Sequence, residues 1–465
     1  MAANLLAQGL EPGDRVAFHM GNCPELVFSY YGCFKVGAIV VPINERMVPS
    51  EIEYFLQHSE ARFYIGQPDL YQKVLPIRPH LPQLHQCYVT GESQPPDTGS
   101  FQDLLAAPST KVELPVVEPG QVAAILYTSG TTAHPKGVTH THETLRYMAG
   151  LYEQMGMSAE RMAAVLTPMT HMAGYLIMLS ALAVGATLVL PTGSDPQTIL
   201  GTLERHRCTF TFAMPAQCKA LVECQTATPY DIRADMRFLA AGDSVPTALQ
   251  EQFTRAFSLP LHELLGIAEG GLITWNPPGK IRPGSIGVPL EGVLLRVVDA
   301  GGNEVKLGEV GELIVKSPGN TIGYWKNPEA TAETLREGWL YTGDLVTQDA
   351  EGYYWFAGRK KEIIVRGGSN ISPQEVEAVL HQHPAVAEAG VIGIPDETWG
   401  EVVVAYVARQ EGVSATEAEL IEFVKKQIAV HKVPEKVVFL PSLPKSAVGK
   451  VQRRALKEHY SSAHA

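Results

Sequence analysis

A run of small hydroxyl residues and glycines directly follows the apolar segment 122–127. The stretch Thr128, Ser129, Gly130, Thr131, Thr132 offers hydroxyl and backbone donors, and Lys136 adds a positive charge shortly afterwards. Such donors bind phosphate oxygens, and glycine lets the backbone approach an anion closely. The order is not that of a P-loop, in which Gly-Lys directly precedes Ser or Thr. The stretch is either a phosphate cradle or a polar surface turn, and its position after an apolar strand favours the cradle.

Charged residues in the last third of the chain form further candidates. Asp344, within "LYTGDL", accepts hydrogen bonds through two oxygens once it is ionised. Arg359 and Lys361 lie in "GRKKEII", and Lys450 lies in "LPKSAVGKVQRR". An ammonium group at such a position can stabilise charge that develops in a reaction. Each motif alone also fits a plainer reading, namely a turn aspartate, a surface charge cluster or a solvated lysine.

Together, and in this order, these segments resemble the signature motifs of the adenylate-forming enzymes. That family includes acyl-CoA synthetases, aryl-CoA ligases, firefly-type luciferases and peptide-synthetase adenylation domains. The loop resembles the family's Thr-Thr-Gly-x-Pro-Lys-Gly signature, with Ala133 in place of the middle glycine. The resemblance covers nearly the whole chain, and it implies an enzyme that uses ATP, Mg²⁺, coenzyme A and a small carboxylic acid.

The resemblance also implies how the nucleotide is held. Residues 128–132 and Lys136 would bind the ATP phosphates. Asp344 matches the aspartate that accepts from both ribose hydroxyls, and Arg359 matches an arginine that contacts ribose and phosphate.

Three further matches concern the second half of the reaction. Lys361 matches the hinge about which the small domain turns, and Lys450 matches the catalytic lysine that bridges the acid and the α-phosphate. Gly367 and Gly368, in "RGGSNISPQEVE", match the loop that lines the pantetheine tunnel, where a thin ligand passes a backbone without Cβ atoms. An ordinary hairpin turn is the alternative for these glycines.

The chain departs from the family where adenine and magnesium bind. In "LLGIAEGG", Leu265 replaces the usual tyrosine that stacks on adenine, and Ala268 replaces a threonine that donates to the α-phosphate. Glu269 is kept as a catalytic residue and Mg²⁺ ligand, and Thr128 is a second candidate ligand. Asp243, in "LAAGDSVP", is placed near the adenine edge.

The acyl pocket is described least by the sequence. "TPMTHMAGY" resembles the family segment that carries an aromatic or histidine gate, which makes His171 a third catalytic candidate. A buried core histidine is the alternative. The other pocket candidates are mostly small and apolar, and none is basic: Tyr175, Met214, Ala240, Gly242, Gly266 and Ile267. A medium- or long-chain fatty acid or an aryl acid fits best. His140 and His142, two residues apart, are interpreted as structural.

Composition excludes several functional classes. The net charge of −12 argues against a nucleic-acid binder, which needs a basic face. The six cysteines form no C-x-x-C pair, so zinc and dithiol chemistry are not indicated, and the cytoplasm is the expected compartment. The longest apolar run, 175–190, is too short for a transmembrane segment and predicts a buried helix followed by a strand. The oligomeric state is left open, including a homodimer.

The alternation of helical and apolar strand patterns predicts an α/β fold. We expect a large N-terminal domain of parallel α/β sheets over 1–359, with a small β-barrel-like sheet from about Arg282. A small, mobile α+β C-terminal domain would follow over 360–465, with its hinge near Lys361. Ser372, Pro373 and Glu375 predict a helix start with a capping box. The short first helix suggests that a preceding segment is lacking.

The resulting hypothesis is an ATP-dependent ligase. It would activate the acid as acyl-AMP, transfer the acyl group to coenzyme A, and release AMP and pyrophosphate. Two alternatives stay open at this stage. One is an acyl-AMP ligase that delivers to a carrier protein. The other is a catalytically weakened binder of nucleotide or acyl groups, which Leu265 and Ala268 would explain.

Overall fold

The computed structural model describes residues 1–108, 112–128, 135–242, 245–446 and 449–463, except the side chain of Asn370. Its strands are β1 Arg15–His19, β2 Ile39–Ile43, β3 Phe63–Gly66, β4 Gln86–Val89, β5 Gly99–Ser100, β6 Val122–Thr128, β7 Lys136–Thr141, β8 Met162–Val165, β9 Thr187–Val189, β10 Phe210–Ala213, β11 Arg237–Ala240, β12 Leu261–Ile267, β13 Gly271–Trp275, β14 Val288–Pro289, β15 Leu294–Val298, β16 Gly311–Lys316, β17 Gly323–Tyr324, β18 Leu335–Arg336, β19 Trp339–Gln348, β20 Tyr354–Arg359, β21 Ile364–Arg366, β22 Ser369–Ile371, β23 Val386–Asp396, β24 Gly400–Arg409 and β25 Lys436–Phe439. Its helices are α1 Ala2–Ala7, α2 Pro24–Phe34, α3 Pro49–Ser59, α4 Pro68–Tyr71, α5 Phe101–Leu105, α6 His142–Gln154, α7 Met172–Val184, α8 Pro196–Arg205, α9 Pro215–Ala227, α10 Thr247–Phe257, α11 Pro328–Thr334, α12 Pro373–Leu380, α13 Glu417–Lys425 and α14 Arg453–Ala463, with 3₁₀ turns at Leu75–His80 and Val430–Lys432.

Two large sheets confirm the predicted parallel α/β architecture. The first has the order β17-β7-β6-β2-β1-β3-β4-β5 and the second β14-β13-β12-β11-β10-β8-β9. Both are parallel in their central strands and antiparallel at one edge. Every residue of β2 is buried, as expected for a strand that helices cover on both faces. The β6–β7 and β12–β13 antiparallel pairs turn the chain back at the loops predicted to bind nucleotide.

The apolar run 175–190 folds as predicted, because it divides at a glycine. α7 is buried along most of its length, and Gly185 ends it in the left-handed conformation with φ of 79°. β9 then joins the edge of the second sheet. Glycine adopts this conformation without the strain that a Cβ atom would impose. None of the helices in the described ranges is long and apolar enough to cross a bilayer.

Apart from β14 and β17, which join the large sheets, the strands after about residue 282 form two smaller sheets, as the glycine-punctuated alternation predicts. β15, β16, β19 and β18 form an antiparallel sheet in that order, and β20 pairs with β19. β22, β21, β24 and β23 form the last sheet, to which β25 adds in parallel to β24. The last sheet packs with α12, α13 and α14 around its own apolar core.

The predicted capping box at Ser372 is wrong, although the helix starts where expected. Ser372 is the N-cap of α12 and Pro373 is its first residue, but the serine side chain caps no backbone N–H. Its hydroxyl instead donates to Oε1 of Gln374, at 2.9 Å. The Glu375 carboxylate pairs with Lys432 at 2.6 Å rather than turning back to the cap. A lysine brought close by the tertiary fold therefore outcompetes the local motif.

Candidate active site

A cleft of 2790 Å³ lies between the first three sheets and the last sheet with its helices. Many of the predicted site residues line it, although they are far apart in sequence. They are Thr128, Lys136, Met214, Gly242, Gly266, Ile267, Glu269, Asp344, Arg359, Lys361 and Lys450. The two sides of the cleft come from different parts of the chain, so a movement between them would change its shape.

The remaining predictions fall into three groups. Ser129, Gly130, Thr131, Thr132 and Asp243 lie outside the described residues. His171, Tyr175 and Ala240 do not line the cleft, and the last two are fully buried. Gly367 and Gly368 form the turn between β21 and β22, away from the cleft. Their proposed contacts with acyl group and pantetheine stay predictions.

The predicted phosphate loop is bracketed by a strand pair. Thr128, the last residue of β6, is paired in register with Lys136, the first residue of β7. The strand before the loop was predicted, whereas the strand after it was not. Both residues line the cleft, so the two ends of the predicted loop lie at its wall.

Asp344 is the most deeply buried charged group of the site. Its side chain is 2% exposed, and Oδ1 forms an ion pair with Nε of Arg359 at 3.0 Å. β19 and β20 set this pair directly opposite each other. The other oxygen, Oδ2, is buried and has no hydrogen-bond partner within the described part of the chain. Burial raises the pKa of Asp344, while the positive charges of Arg359 and Lys450 act against the increase. A buried acceptor of this kind fits a ligand that brings hydroxyl donors, such as a ribose.

Lys450 projects from a small hairpin near the C-terminus. Lys445 and Val451 pair across it, and the carbonyl oxygen of Lys450 accepts from the N–H of Ser446 at 2.7 Å. The charge of Lys450 lowers the pKa of His171 as well as opposing the rise at Asp344. The charge of Lys450 therefore influences both Asp344 and His171, which the sequence analysis assigned to the nucleotide and to the acyl group respectively.

Glu269 is held by a residue that the sequence analysis did not identify. The hydroxyl of Tyr324 donates to Oε1 of Glu269 at 2.8 Å, and Nζ of Lys136 lies 4.9 Å from the Tyr324 ring centroid. Burial and the nearby carboxylate raise the pKa of Tyr324, so its hydroxyl stays protonated and can donate. Thr321 also fixes the backbone of this turn, because its N–H donates to the Glu269 carbonyl at 2.6 Å. Tyr324 could have been noticed as an aromatic residue after a glycine, but its contact with Glu269 depends on β17 pairing with β7 in the first sheet, which the sequence does not show.

The Glu269 turn fits a magnesium ion that is shared with a nucleotide. Mg²⁺ commonly binds one or two protein carboxylates together with substrate phosphates and water. Within the described ranges no group of three His, Cys, Asp or Glu side chains could form a metal cage. Glu269, with the hydroxyl of Thr128 across the cleft, would hold the ion only when phosphates supply further ligands. Such an ion would neutralise phosphate charge.

His171 occupies the N-cap position of α7. Burial and the charge of Lys450 lower the pKa of its imidazole to about 4, so the ring is neutral at physiological pH. The loop before it is tied to the first sheet by Asn22, whose amide donates to the Thr167 carbonyl at 2.9 Å and accepts from the Met169 N–H at 2.7 Å. The role of His171 as a gate stays a prediction.

His140 is structural, as interpreted from the sequence, but it supports the site directly. Its Nε2 donates to the Ala268 carbonyl at 2.8 Å, and its Nδ1 lies 3.2 Å from the Thr144 hydroxyl. Burial lowers its pKa to about 4, so it remains a neutral donor. The backbone between β12 and β13 is thus fixed although the threonine side chain usual in the family is absent at Ala268.

Two family models match most of the chain. The family model of the AMP-binding enzyme matches residues 1–325, and that of the AMP-binding enzyme C-terminal domain matches residues 375–450. The chain belongs to the AMP-binding enzyme family. It is therefore an AMP-forming acid–CoA ligase that uses ATP, Mg²⁺ and coenzyme A, as the motifs implied.

Similar proteins from bacteria carry related activities. A long-chain-fatty-acid–CoA ligase of Bacillus subtilis is 32% identical, over 100% of this chain and 89% of the relative. A crotonobetaine/carnitine–CoA ligase of Salmonella typhimurium is 34% identical, over 98% of this chain and 90% of the relative. The anthranilate CoA ligase AuaEII in complex with anthranoyl-AMP superposes with a TM-score of 0.91 at 31% identity, covering 100% and 90% of the two chains. An O-succinylbenzoate CoA synthetase of Bacillus subtilis in complex with AMP gives 0.85 at 29% identity, covering 98% and 90%.

This AMP-binding enzyme also holds a buried carboxyl group that the sequence analysis missed. Glu263 lines the cleft and accepts from Nε2 of Gln250 at 2.7 Å and from the Val245 N–H at 3.4 Å. Burial raises its pKa from the ordinary value of 4.5 to about 8. Because the folded state binds the proton more tightly than the unfolded state, stability falls as the pH rises from about 4.5 to about 8.

We expect Glu263→Gln to remove this pH-dependent loss. The amide keeps the shape of the protonated acid and cannot ionise. Since the amide NH2 replaces one of the two accepting oxygens at every pH, the expected effect is a pH-dependent one: the melting temperature of the variant relative to the wild type should be a few degrees higher at pH 9 than at pH 5. Thermal denaturation at both pH values measures the effect, and Glu251→Gln on the exposed face of α10 serves as the control. Equal shifts at pH 5 and pH 9 would contradict a titrating role for Glu263.

Proposed function

We propose that this ligase activates a medium- or long-chain fatty acid or an aryl acid. The single observation that carries the assignment of the site is the pair Asp344–Arg359, with its buried unpartnered oxygen, in the same cleft as Lys450. A ribose would donate to Asp344, and Lys450 would lie between the α-phosphate and the acid.

The reaction then proceeds in two displacements. A carboxylate oxygen of the acid attacks the α-phosphorus of ATP, the bond to pyrophosphate breaks, and an acyl adenylate forms. The sulfur of coenzyme A next attacks the acyl carbonyl carbon, and the bond to AMP breaks. Lys450 neutralises charge on the carboxylate and α-phosphate in the first step, where positioning and electrostatics supply most of the acceleration. His171, neutral at physiological pH, borders the acyl end without adding charge.

The acid is proposed from the character of the pocket candidates. Met214, Gly242 and Ile267 line the cleft and offer apolar or small surfaces, and none of the pocket candidates is basic. Two of the named relatives, the long-chain-fatty-acid–CoA ligase and the anthranilate CoA ligase, act on acids of these classes, whereas the crotonobetaine/carnitine and O-succinylbenzoate enzymes act on acids with a further charged group. They are CoA ligases, which favours coenzyme A over a carrier protein as the acyl acceptor.

We further propose that the domain boundary lies near 359/360 and that rotation at Lys361 exchanges the two half-reactions. In the structure Lys450 lines the cleft, whereas Gly367 and Gly368 do not. Their φ values of 56° and 80° lie in the left-handed region, which glycine adopts without strain. A rotation that withdraws Lys450 and brings this turn in would open a path for pantetheine. We place the reaction in the cytoplasm, since all six cysteines are free thiols.

A pyrophosphate-release assay with a panel of acids tests the substrate assignment. Octanoate, palmitate, benzoate, anthranilate and succinate are each incubated with MgATP and coenzyme A. We expect release with at least one of the first four and none above the acid-free background with succinate. Turnover of succinate in preference to all the monoacids would overturn the proposed substrate class.

Ala268→Thr tests whether the departure from the family motif weakens nucleotide use. The added hydroxyl restores a donor toward the α-phosphate, and a hydrogen bond to a charged group is worth about 1.5–3 kcal/mol. We therefore expect kcat/KM for ATP to rise by roughly tenfold. Steady-state kinetics with varied ATP measure it, with Ala268→Ser as the matched variant that adds only the hydroxyl. Unchanged kinetics in both variants would show that other donors already satisfy the phosphate.

A further inference from the structure

Arg453 joins three separate parts of the C-terminal unit through one guanidinium group. Its Nη1 donates to Oε2 of Glu362 at 2.8 Å, and its Nη2 donates to both carboxylate oxygens of Glu377, each at 2.8 Å. Its Nε donates to the Val391 carbonyl at 3.2 Å. The arginine and both glutamates are largely shielded from solvent, with side-chain exposures of 13–21%. Shielded, charge-assisted hydrogen bonds of this kind hold side chains in place better than exposed surface ion pairs do.

Arg453 connects the segment that carries Lys450 to the segment that follows the proposed hinge. It is the first residue of α14 and follows directly after the hairpin that carries Lys450. Glu362, its partner, directly follows Lys361, the proposed hinge. The amide of Gln374 donates to the same Glu362 oxygen at 2.9 Å, which anchors that carboxylate to α12 as well.

The backbone at Glu362 and Ile363 also contacts Arg359, one of the residues proposed to bind the nucleotide. The N–H groups of Glu362 and Ile363 both donate to the carbonyl of Arg359, at 2.9 and 3.1 Å. Arg359 in turn contacts Asp344. A continuous series of contacts therefore runs from the Lys450 hairpin through Arg453 and Glu362 to the Asp344–Arg359 pair.

We propose that Arg453 is a positioning residue for adenylation, which holds the Lys450 hairpin to the segment that follows the hinge. This proposal rests on the proposed role of Lys450. When the unit turns at Lys361, Glu362 and Arg453 move together, so the lysine is delivered to and withdrawn from the cleft as part of one rigid body. Arg453 itself touches no reacting atom.

The adjacent arginine provides a matched control. Arg454 has a side chain that is 66% exposed and pairs with Glu458 one turn along α14. It shares the residue type and the helix position of Arg453 to within one residue, yet it contacts neither Glu362 nor Glu377. Arg453→Gln and Arg454→Gln therefore remove the same charge from neighbouring sites, and only the first breaks the network.

Half-reaction kinetics test the proposal. We expect Arg453→Gln to lower kcat for acid-dependent pyrophosphate release by roughly 10–100-fold with little change in KM for ATP, since small displacements of catalytic groups have effects of that size. Thioester formation from supplied acyl adenylate should fall by less than about threefold, and Arg454→Gln should behave as wild type in both assays. In a Lys450→Ala background, Arg453→Gln should add less than about a twofold loss, because it acts through the lysine. Equal losses in both half-reactions, or a full additional loss without Lys450, would overturn the proposal.

A measurement independent of turnover separates this proposal from the proposed function. Backbone N–H groups of Ser446, Gly449 and Gln452 are hydrogen-bonded within the Lys450 hairpin. Hydrogen–deuterium exchange of the free protein should be faster at the described hairpin residues, 444–446 and 449–452, in Arg453→Gln, and also in Glu362→Gln, which leaves the Glu377 contact in place. Strands β23 and β24 should be unchanged. Unaltered exchange in the hairpin would refute the positioning role even if the enzyme accepted none of the acids tried, whereas an inactive wild type with faster exchange in the variants would count only against the proposed substrate.

Discussion

Lys450→Ala should lower the rate of adenylation by about 10²–10³-fold, the effect seen when one preorganised donor is removed from a developing charge. Thioester formation from supplied acyl adenylate should be nearly unaffected. The physical reason is that Lys450 and Asp344 line the same cleft, where the charge of Lys450 acts on the Asp344 carboxylate, whereas the Gly367–Gly368 turn does not line it. Acid-dependent ATP–pyrophosphate exchange measures the first half-reaction, and release of AMP from purified acyl adenylate with coenzyme A measures the second.

The control for this experiment is a lysine far from the cleft. Lys426 is 70% exposed near the end of α13 and forms only a loose pair with Glu422. Lys426→Ala should leave both half-reactions unchanged. If Lys450→Ala reduced both halves equally, the lysine would support folding or binding in general rather than the first displacement.

The second large effect concerns Asp344→Asn. An amide cannot supply two charged acceptor positions, so the variant should lose the equivalent of one charge-assisted hydrogen bond, about 1.5–3 kcal/mol, which is roughly a 10–100-fold weaker Kd for ATP. Titration calorimetry with ATP and Mg²⁺ measures the loss without turnover. Arg359→Lys is a useful companion, because lysine keeps the charge but lacks the planar fork.

The same variant should not unfold more easily, and this separates binding from stability. Burial raises the folded-state pKa of Asp344, so the folded state holds its proton more tightly than the unfolded state does. The wild type therefore loses stability as the pH rises from the unfolded-state pKa of this carboxyl group to its folded-state pKa. Asn cannot ionise, so Asp344→Asn should melt at the same or a higher temperature at pH 8. A variant that binds ATP normally, or that melts much lower, would contradict the assignment of the unpartnered oxygen to the nucleotide.

The fold was predictable because its signals are local. Strands such as β2 and β6 are recognised from runs of apolar residues, which the structure buries. Gly185 marks the end of α7, and β9 follows it. The capping box at Ser372 was wrong because Lys432, distant in sequence, pairs with Glu375. Local motifs decide structure only when no tertiary partner offers a stronger contact.

The site could be predicted only as a set of motifs. Asp344 and Arg359 were identified separately, but the register of β19 and β20 that joins them was not visible in the sequence. Tyr324, Glu263 and Arg453 were missed because each acts through a contact made by a distant element. For Glu263 and Arg453, the available signal was a charged residue only a few positions from a signature motif.

The central claim is that the acid is activated by direct attack of its carboxylate on the α-phosphate. Acid labelled with ¹⁸O in the carboxylate tests it most directly, using the wild-type enzyme with MgATP, coenzyme A and whichever acid of the panel is turned over. We predict that each turnover leaves one labelled oxygen in the phosphate of AMP and none in pyrophosphate. Label-free AMP, or formation of ADP and phosphate in place of AMP and pyrophosphate, would contradict the account.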